Sequence, residues 1–380
     1  PPRSSARLRR HGAAIGRQKG WVGVSGPDLL GRTEELCAIA SASREEGPIT
    51  DHLDAVLAAG APGLERTRVG DNLVARTNLG RPMRLVLAGH TDTVPANGNA
   101  VPRREGDTLW GLGTADMKGG LAAMVELALA VPEPAVDVTY VFYAREEIAA
   151  KESGLEELFV ERPDLLEGDV AILGEPTDGE VEAGCQGTMR LEVTLAGARA
   201  HSARPWMGRN AVHRLGPLLS LLEAHEPRQP VIQGLQFREA LQAVGVNGGV
   251  ATNVIPDSAM IGLNHRFAPD RTPEEAEAAV RELLAPLLEE DDTVELVDVA
   301  PGAAPHLDHP LLAALVQRSG LGVRAKLGWT DVARFAARGI PAVNLGAGDA
   351  TLAHHIDERV EGDRLEVSYR ALLDLITVGP

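Results

Sequence analysis

Acidic and imidazole side chains recur in this sequence close to the ends of apolar, strand-like runs. Two adjacent glutamates end one such run, and a histidine, an aspartate or a glutamate follows each of three others within ten residues. One further aspartate, Asp116, lies in a glycine-rich stretch. The complete set of these acidic and imidazole residues is His90, Asp92, Asp116, Glu146, Glu147, Glu175, His354 and His355. Carboxylates and imidazoles without thiolates are typical ligands of zinc, cobalt or manganese in catalytic sites. The sequence therefore predicts a catalytic metal centre.

Each of these residues, taken singly, also has an ordinary structural explanation. Asp116 could cap the helix that begins after it, and Glu146 with Glu147 could be the exposed start of a helix. A single histidine after a strand is most often a surface residue. Taken together these explanations fail, because so many carboxylates at one edge of a sheet repel each other unless cations neutralise them.

The spacing of the residues indicates separate roles. His90 and Asp92 are two apart, so in an extended segment their side chains point the same way, which suits a carboxylate that orients a ligating imidazole. Asp116 could approach two ions, and paired catalytic metals about 3.5–4 Å apart need such a bridge. Of the adjacent glutamates, one can bind metal while the other transfers protons. We assign Glu147 to the metal and Glu146 to proton transfer, although spacing alone leaves their order open.

The elements that must position these residues alternate between strand and helix. Apolar strand-like runs begin at residues 84, 138, 169 and 341, and helical patterns stand between and after them. This alternation predicts an α/β domain with a mostly parallel sheet and helices on both faces. Ligands of such folds bind beyond the carboxyl ends of the strands. We assign residues 27–186 and 301–380 to this catalytic domain.

The stretch 187–300 breaks this rhythm. Its pattern is β-α-β-β-α-β, the order of a ferredoxin-like fold, and Thr272, Pro273 and Glu275 form a helix-start signature within it. We therefore expect an inserted α+β domain there. Residues 1–26 are basic and contain neither an acidic side chain nor the apolar centre of a signal peptide, so we expect a disordered extension.

The composition narrows the range of partners and compartments. A net charge of −17 argues against nucleic acid and anionic membranes, but it allows an anionic small substrate that meets a local cluster of arginines. Only two cysteines are present, so we expect no disulfide framework and a reducing, cytoplasmic location. No apolar run approaches the roughly 20 residues that span a bilayer.

Five stretches together resemble the M20 family of di-zinc metallopeptidases and deacylases. They are GHTDTVP, GLGTADMKGG, YAREE, LGEPT and LAHHIDERV, in the order in which the family has them. The resemblance implies two zinc ions, for which cobalt or manganese could substitute. One zinc would be bound by His90, Asp116 and Glu175, and the other by Asp116, Glu147 and His354.

The resemblance also implies the roles of the remaining residues. Asp92 would orient the first histidine, Glu146 would be the general acid/base, and the peptide bond between residues 116 and 117 would be cis. The family spacing His-x-x-Asp-Glu selects His354, and His355 is the alternative. The inserted domain would be a lid that joins two subunits in a homodimer. Its His201 would reach the active site, often that of the partner subunit, and stabilise the tetrahedral oxyanion.

Further stretches resemble the actinobacterial members of the family that hydrolyse N-succinyl-LL-2,6-diaminopimelate to succinate and LL-2,6-diaminopimelate. They are LGEPTDGEVEAGCQGTMR, ATNVIPDSA, NHRFAPDRT and GWTDVARF. This N-acylated amino acid is rich in carboxylates, which suits Arg266 as a bidentate partner, with Asn253 and Thr330 beside it. Arg266 could instead form a structural ion pair, and Arg334 could equally be structural. The alternative functions are an acetylornithine deacetylase, an aminoacylase or a carboxypeptidase of the family, or a binding protein without activity.

Overall fold

The structure, a computed structural model, describes residues 26–380. The disordered extension expected for residues 1–26 lies outside the described residues, except for Gly26. Within the described chain two sheets carry the architecture, one of eight strands and one of four.

The larger sheet is mixed, with a parallel centre. Its strands lie in the order Glu65–Val69, Asn72–Arg76, Asp137–Tyr143, Arg84–His90, Val170–Leu173, Ala342–Asn344, Val181–Ala183 and Val323–Ala325. The four strands from Asp137–Tyr143 to Ala342–Asn344 are parallel to one another. Every residue of Asp137–Tyr143 is buried, as expected for a strand covered on both faces.

Helices cover both faces of this sheet, which confirms the predicted α/β class. One face carries Leu29–Cys37, Gly47–Gly60, Gly119–Ala130, Pro310–Ser319 and Gly362–Val378, and the other carries Gly154–Glu161 and Val332–Ala336. Alternate residues of a strand enter the two cores: Leu85 and Leu87 pack in the first, and Val86 and Ala88 in the second. Among residues 26–380, no helix is long and apolar enough to span a membrane.

The smaller sheet has the predicted ferredoxin-like order. Its antiparallel strands lie in the order Ala240–Gly248, Ser258–Phe267, Gly187–Ala196 and Thr293–Ala300. The helices Ala211–Ala224 and Pro273–Leu284 pack on one of its faces around a separate apolar core. The predicted capping box is present, since Thr272 and Glu275 bond each other's backbone N–H. The domain boundaries themselves stay a prediction.

Short elements complete the described chain. A third sheet contains Arg359–Glu361, Thr108–Trp110 and Arg103–Glu105, and two small pairs join Ala200–His201 to Val254–Ile255 and Val231–Ile232 to Leu235–Gln236. Short 3-10 turns occupy Ala150–Glu152, Pro163–Leu166, Pro205–Met207 and Ala285–Leu287, and an irregular helical turn occupies Thr114–Lys118.

Candidate metal centre

The carboxyl ends of the four parallel strands bring most of the predicted ligands to one edge of the sheet. His90 is the last residue of its strand, and Glu147, Glu175 and His354 follow their strands in the connecting loops. Thr91 N donates to the carbonyl oxygen of Tyr143 at 2.8 Å, so two of these strand ends remain in register beyond the sheet. The acids and imidazoles therefore converge because parallel strands end at the same edge.

Asp116 reaches this edge from the turn Thr114–Lys118. The glycines that follow the turn allow a close approach, since a Cβ on Gly120 would lie 2.3 Å from the carbonyl oxygen of Gly174. A side chain at Gly120 would push the turn away from the strand end that leads into Glu175. The glycine pair of the motif is thus explained by packing.

The two oxygens of Asp116 face two different histidines. Oδ1 lies 3.0 Å from His90 Nε2, and Oδ2 lies 3.6 Å from His354 Nε2. His354 Nε2 also lies 2.9 Å from Glu147 Oε1, and potential ligand atoms of His90, Asp116 and Glu147 all lie within 4.8 Å of one another. The peptide bond from Asp116 to Met117 is cis, as the resemblance implied. This arrangement suits a carboxylate shared by two cations.

His355 lies differently from its neighbour. Its Nδ1 is 3.7 Å from Asp357 Oδ2 and accepts from the backbone N–H of Asp357 at 3.2 Å. No described contact joins the His355 ring to the acid cluster. His354 has φ +63, a left-handed backbone conformation that is uncommon outside glycine and that often occurs at functional sites.

The Asp92 carboxylate contacts both the His90 ring and the backbone of the two adjacent glutamates. Its Oδ1 lies 3.4 Å from His90 Nδ1 and accepts from Glu146 N at 3.0 Å. Its Oδ2 accepts from Glu147 N at 3.1 Å and from Ser43 Oγ at 2.7 Å. Burial raises the pKa of Asp92, but the hydrogen bond and charge of His90 outweigh burial and lower that pKa to about 2. Asp92 therefore stays ionised while it orients its neighbours.

Burial and repulsion between neighbouring acids raise the pKa of two glutamates of this cluster. Burial raises the pKa of Glu146 well above its usual value, and the charges of Glu175 and Asp331 add to this shift. Burial also raises the pKa of Glu175 to about 8, and its Oε1 is buried without a hydrogen-bond partner among residues 26–380. Carboxylates left in this condition suit divalent cations, which supply positive charge. The donor set thus fits the metal centre that the sequence predicts.

The electrostatics of His90 lead to the same inference. Burial lowers the pKa of His90, yet hydrogen bonds with Asp116 and Asp92 and the charge of Glu175 raise it well above its usual value. In the absence of metal the carboxylates thus favour a protonated imidazole. A cation would replace that proton, because a ligating histidine is neutral.

No hydrogen bond or ion pair of the described chain joins the predicted substrate-binding residues to one another. Arg266 is half-buried in the strand Ser258–Phe267 and forms no ion pair with any residue from 26 to 380. Thr330 is buried and accepts from Asn344 Nδ2 at 3.2 Å. Asn253 is exposed, and its carbonyl oxygen accepts from Ser202 N at 2.9 Å. No described contact joins Arg266 or Asn253 to the acid cluster.

His201 and Arg334 have contrasting surroundings. The His201 ring is exposed, its Nδ1 accepts from Ala203 N at 3.1 Å, and no described contact joins it to the acid cluster. Arg334 has structural contacts instead, since Nε pairs with Asp331 at 2.6 Å and Nη1 pairs with Glu156 at 2.7 Å.

Two buried acids of the site region were not predicted from the sequence. Glu358 is 1% exposed and accepts hydrogen bonds from the backbone of the Asp116 turn, and burial raises its pKa to about 7. Asp331 is also 1% exposed, and its charge acts on Glu146 and Glu175. The sequence signal for Glu358 was its place four residues after His354, directly before a strand.

The fold and this donor set agree with a comparison to known families. Residues 86–378 match the sequence profile of Peptidase family M20/M25/M40. The chain belongs to this family, which confirms the resemblance.

Individual relatives are similar over most of their length. One relative is a Mycobacterium tuberculosis protein that is named as a candidate succinyl-diaminopimelate desuccinylase. It is 51% identical to this chain over 337 residues, and the alignment covers 88% of this chain and 94% of that protein. The succinyl-diaminopimelate desuccinylase of Corynebacterium glutamicum is 45% identical over 345 residues, covering 88% and 93%.

Solved structures share the fold at low sequence identity. A tripeptidase from Staphylococcus aureus has a TM-score of 0.72 and 22% identity, covering 92% of this chain and 97% of its own. A dinuclear metal-binding peptidase of the M20 family from Bacillus subtilis has a TM-score of 0.67 and 17% identity, covering 92% and 97%.

Proposed function

We propose that this protein hydrolyses the amide bond of N-succinyl-LL-2,6-diaminopimelate, yielding succinate and LL-2,6-diaminopimelate. The observation that carries the proposal is the 45% identity to the Corynebacterium glutamicum desuccinylase over nearly the full length of both chains. The acid and imidazole cluster at the sheet edge supports the hydrolytic chemistry.

The proposed cofactor is a pair of zinc ions, with cobalt or manganese as possible substitutes. His90, Asp116 and Glu175 would hold one ion, and Asp116, Glu147 and His354 would hold the other. The separate approach of the two Asp116 oxygens to His90 and His354 supports this division. When bound, the ions would polarise the amide carbonyl and lower the pKa of water.

Glu146 is the proposed proton carrier of the reaction. Its carboxylate takes a proton from the attacking water as the new C–O bond forms, and delivers it to the amine nitrogen as the C–N bond breaks. Asp92 fixes the backbone of Glu146 and Glu147, and thereby keeps the two adjacent carboxylates in separate roles.

Arg266 is the proposed partner of the substrate's succinyl carboxylate, with Thr330 and Asn253 as further contacts. The support is that this guanidinium is half-buried and has no ion-pair partner within the described chain. A cation in that condition suits an anionic ligand. His201 would stabilise the oxyanion of the tetrahedral intermediate, in the active site of the partner subunit, because its own subunit leaves it exposed.

The proposed assembly is a homodimer through the inserted domain. Within the described chain, the strand Ala240–Gly248 pairs on one side only, and its Val244 and Val246 are 64% and 56% exposed. Val212 and Leu219 of the neighbouring helix are also exposed. An unpaired edge strand with exposed valines is a suitable surface for a second copy of the chain.

The cytoplasm is the proposed compartment. Cys37 and Cys185 are both buried free thiols, and unpaired cysteines are typical of a reducing environment.

A substrate panel with added zinc tests the proposed reaction. We expect the highest kcat/KM for N-succinyl-LL-2,6-diaminopimelate and a much lower value for N-acetylornithine. Arg266→Ala should raise KM far more for the succinylated substrate than for an acetylated one, whereas Arg190→Ala, on a neighbouring strand, should not discriminate between them. Preferred turnover of N-acetylornithine would assign the protein to another activity of the family.

A further inference from the structure

The two segments that carry Asp116 and His354 are far apart in sequence but must keep a fixed separation. Asp116 lies in the turn Thr114–Lys118, whose backbone at this residue is not helical (φ −124, ψ 95). His354 lies in the loop that precedes the strand Arg359–Glu361. The helix Gly119–Ala130 begins three residues after Asp116, whereas no helix or strand of the described chain lies between Asn344 and Arg359, so other contacts must align the His354 loop.

Glu358 connects these two segments through its side chain and its backbone. Its Oε1 accepts from Ala115 N at 3.0 Å and from Asp116 N at 3.1 Å, and the side chain is buried. Its own carbonyl oxygen accepts from Gly111 N at 3.0 Å. A single residue of the His354 loop therefore satisfies three backbone N–H groups in the segment that presents Asp116.

Asn99 makes a second connection between the same segments. Its Nδ2 donates to the carbonyl oxygen of His355 at 3.2 Å, and its own carbonyl oxygen accepts from Leu112 N at 2.9 Å. The next strand fixes the base of the loop, since Arg359 lies over the ring of Trp110 at 4.7 Å. The loop is thus held by three residues that follow His354, namely His355, Glu358 and Arg359.

We propose that Glu358 is a positioning residue for the metal centre: by accepting the N–H groups of Ala115 and Asp116, it sets the distance between the Asp116 carboxylate and the His354 imidazole. This inference rests on the proposed function, because it takes these two side chains as ligands of one ion. The acceptor oxygen is the essential feature, since two N–H groups converge on the same atom.

The experiment compares Glu358→Ala with Glu358→Gln in the full-length protein. Glu358→Ala should weaken the affinity for one of the two zinc equivalents about 10- to 100-fold, measured by competition with a chromophoric chelator, and should alter the visible spectrum of the Co²⁺-substituted protein. Glu358→Gln keeps an acceptor oxygen and should stay close to the wild type in both measurements. Asp363→Ala removes an exposed carboxylate from the first turn of the helix that follows the strand Arg359–Glu361 and should leave both unchanged.

The outcomes separate this inference from the proposed function. Wild-type protein without tightly bound zinc would contradict the metal centre itself. Two equivalents in the wild type, with the same affinities in Glu358→Ala, would overturn the role of Glu358 alone. Equal losses in Glu358→Gln and Glu358→Ala would overturn the acceptor argument. If Glu358→Ala does not fold, Glu358→Asp takes its place, because its shorter side chain cannot reach both N–H groups and should show the same loss.

Discussion

Adjacent residues of the same type can have different roles when the backbone turns between them. Glu146 and Glu147 both donate their backbone N–H to Asp92, yet Glu147 contacts His354, while the charges of Glu175 and Asp331 raise the pKa of Glu146. The residue types and their positions at strand ends were sufficient to predict the cluster. The order of the two glutamates and the choice of His354 over His355 depend on loop conformation, which spacing alone does not determine.

Glu146→Gln should abolish most hydrolysis while metal binding persists. Because the amide cannot accept the proton of the attacking water, we expect kcat to fall about 10²- to 10⁴-fold, with zinc content unchanged by elemental analysis. Glu152→Gln, which changes an acid of the same loop that pairs with Arg44, should keep normal kcat. A Glu146→Gln enzyme with near-normal turnover would remove this residue from the proton-transfer step.

His354→Ala should reduce the zinc content from two equivalents to one. The His354 ring contacts both Glu147 and Asp116, so its loss leaves one ion without its imidazole ligand. His355→Ala serves as the matched control and should retain two equivalents. If instead His355→Ala lost the metal and His354→Ala kept it, the ligand assignment would have to be exchanged.

At the scale of elements, apolar strands and well-capped helices could be predicted from the sequence, including the three-residue strand Ala342–Asn344, whereas short strands without an apolar run could not. Arg84–His90 and Asp137–Tyr143 are buried runs with a clear pattern. Val181–Ala183 and Val323–Ala325 have three residues each and become strands through tertiary pairing. The role of Glu358 was hidden for a similar reason, since its partner Ala115 is 243 residues away.

The loop before the strand Thr293–Ala300 depends on a buried ion pair. The Asp292 side chain is inaccessible, bonds both terminal nitrogens of Arg214 at 2.6 Å, and accepts from Ala196 N at 2.8 Å. Burial raises the pKa of Asp292, but these bonds outweigh it and lower the pKa from 3.8 to about 2. Its stabilising contribution is therefore complete above about pH 4 and is lost as the pH falls through about pH 2.

Asp292→Asn should lower the free energy of unfolding at neutral pH by on the order of 2 kcal/mol, with the difference from the wild type shrinking towards pH 2. Denaturant unfolding of the metal-free protein at several pH values measures this. Asp291→Asn, at the exposed neighbouring position, should have little effect at any pH. A difference between Asp292→Asn and the wild type that is the same at pH 2 and pH 7 would contradict the ionic origin of the stabilisation.

At the scale of the whole molecule, the chain carries a strong negative net charge, and the candidate metal centre also contains several acidic side chains. The net charge of −17 agrees with a site that takes up divalent cations. An anionic substrate needs local cations in such a molecule, and the unpaired Arg266 is suited to this. The exposed edge strand of the smaller sheet offers a surface on which two copies could meet.

Val246→Lys should convert the proposed dimer into a monomer, because a charged side chain on an edge strand opposes strand pairing. Light scattering measures the mass in solution. The activity should fall with the loss of the dimer if His201 acts in the partner subunit. Val160→Lys, which replaces a 71% exposed valine of the catalytic region, should leave both mass and activity unchanged. A wild-type protein that is monomeric and fully active would contradict the assembly.

The most direct test of the account is the zinc content of the reconstituted protein, measured by elemental analysis for the wild type and for Asp116→Ala. We expect two equivalents per chain in the wild type. In the variant we expect the loss of tight binding of both ions, because the shared carboxylate is removed. A wild type that retains no zinc, or an Asp116→Ala protein that retains both equivalents, would contradict the claim that these acids and imidazoles bind a pair of cations.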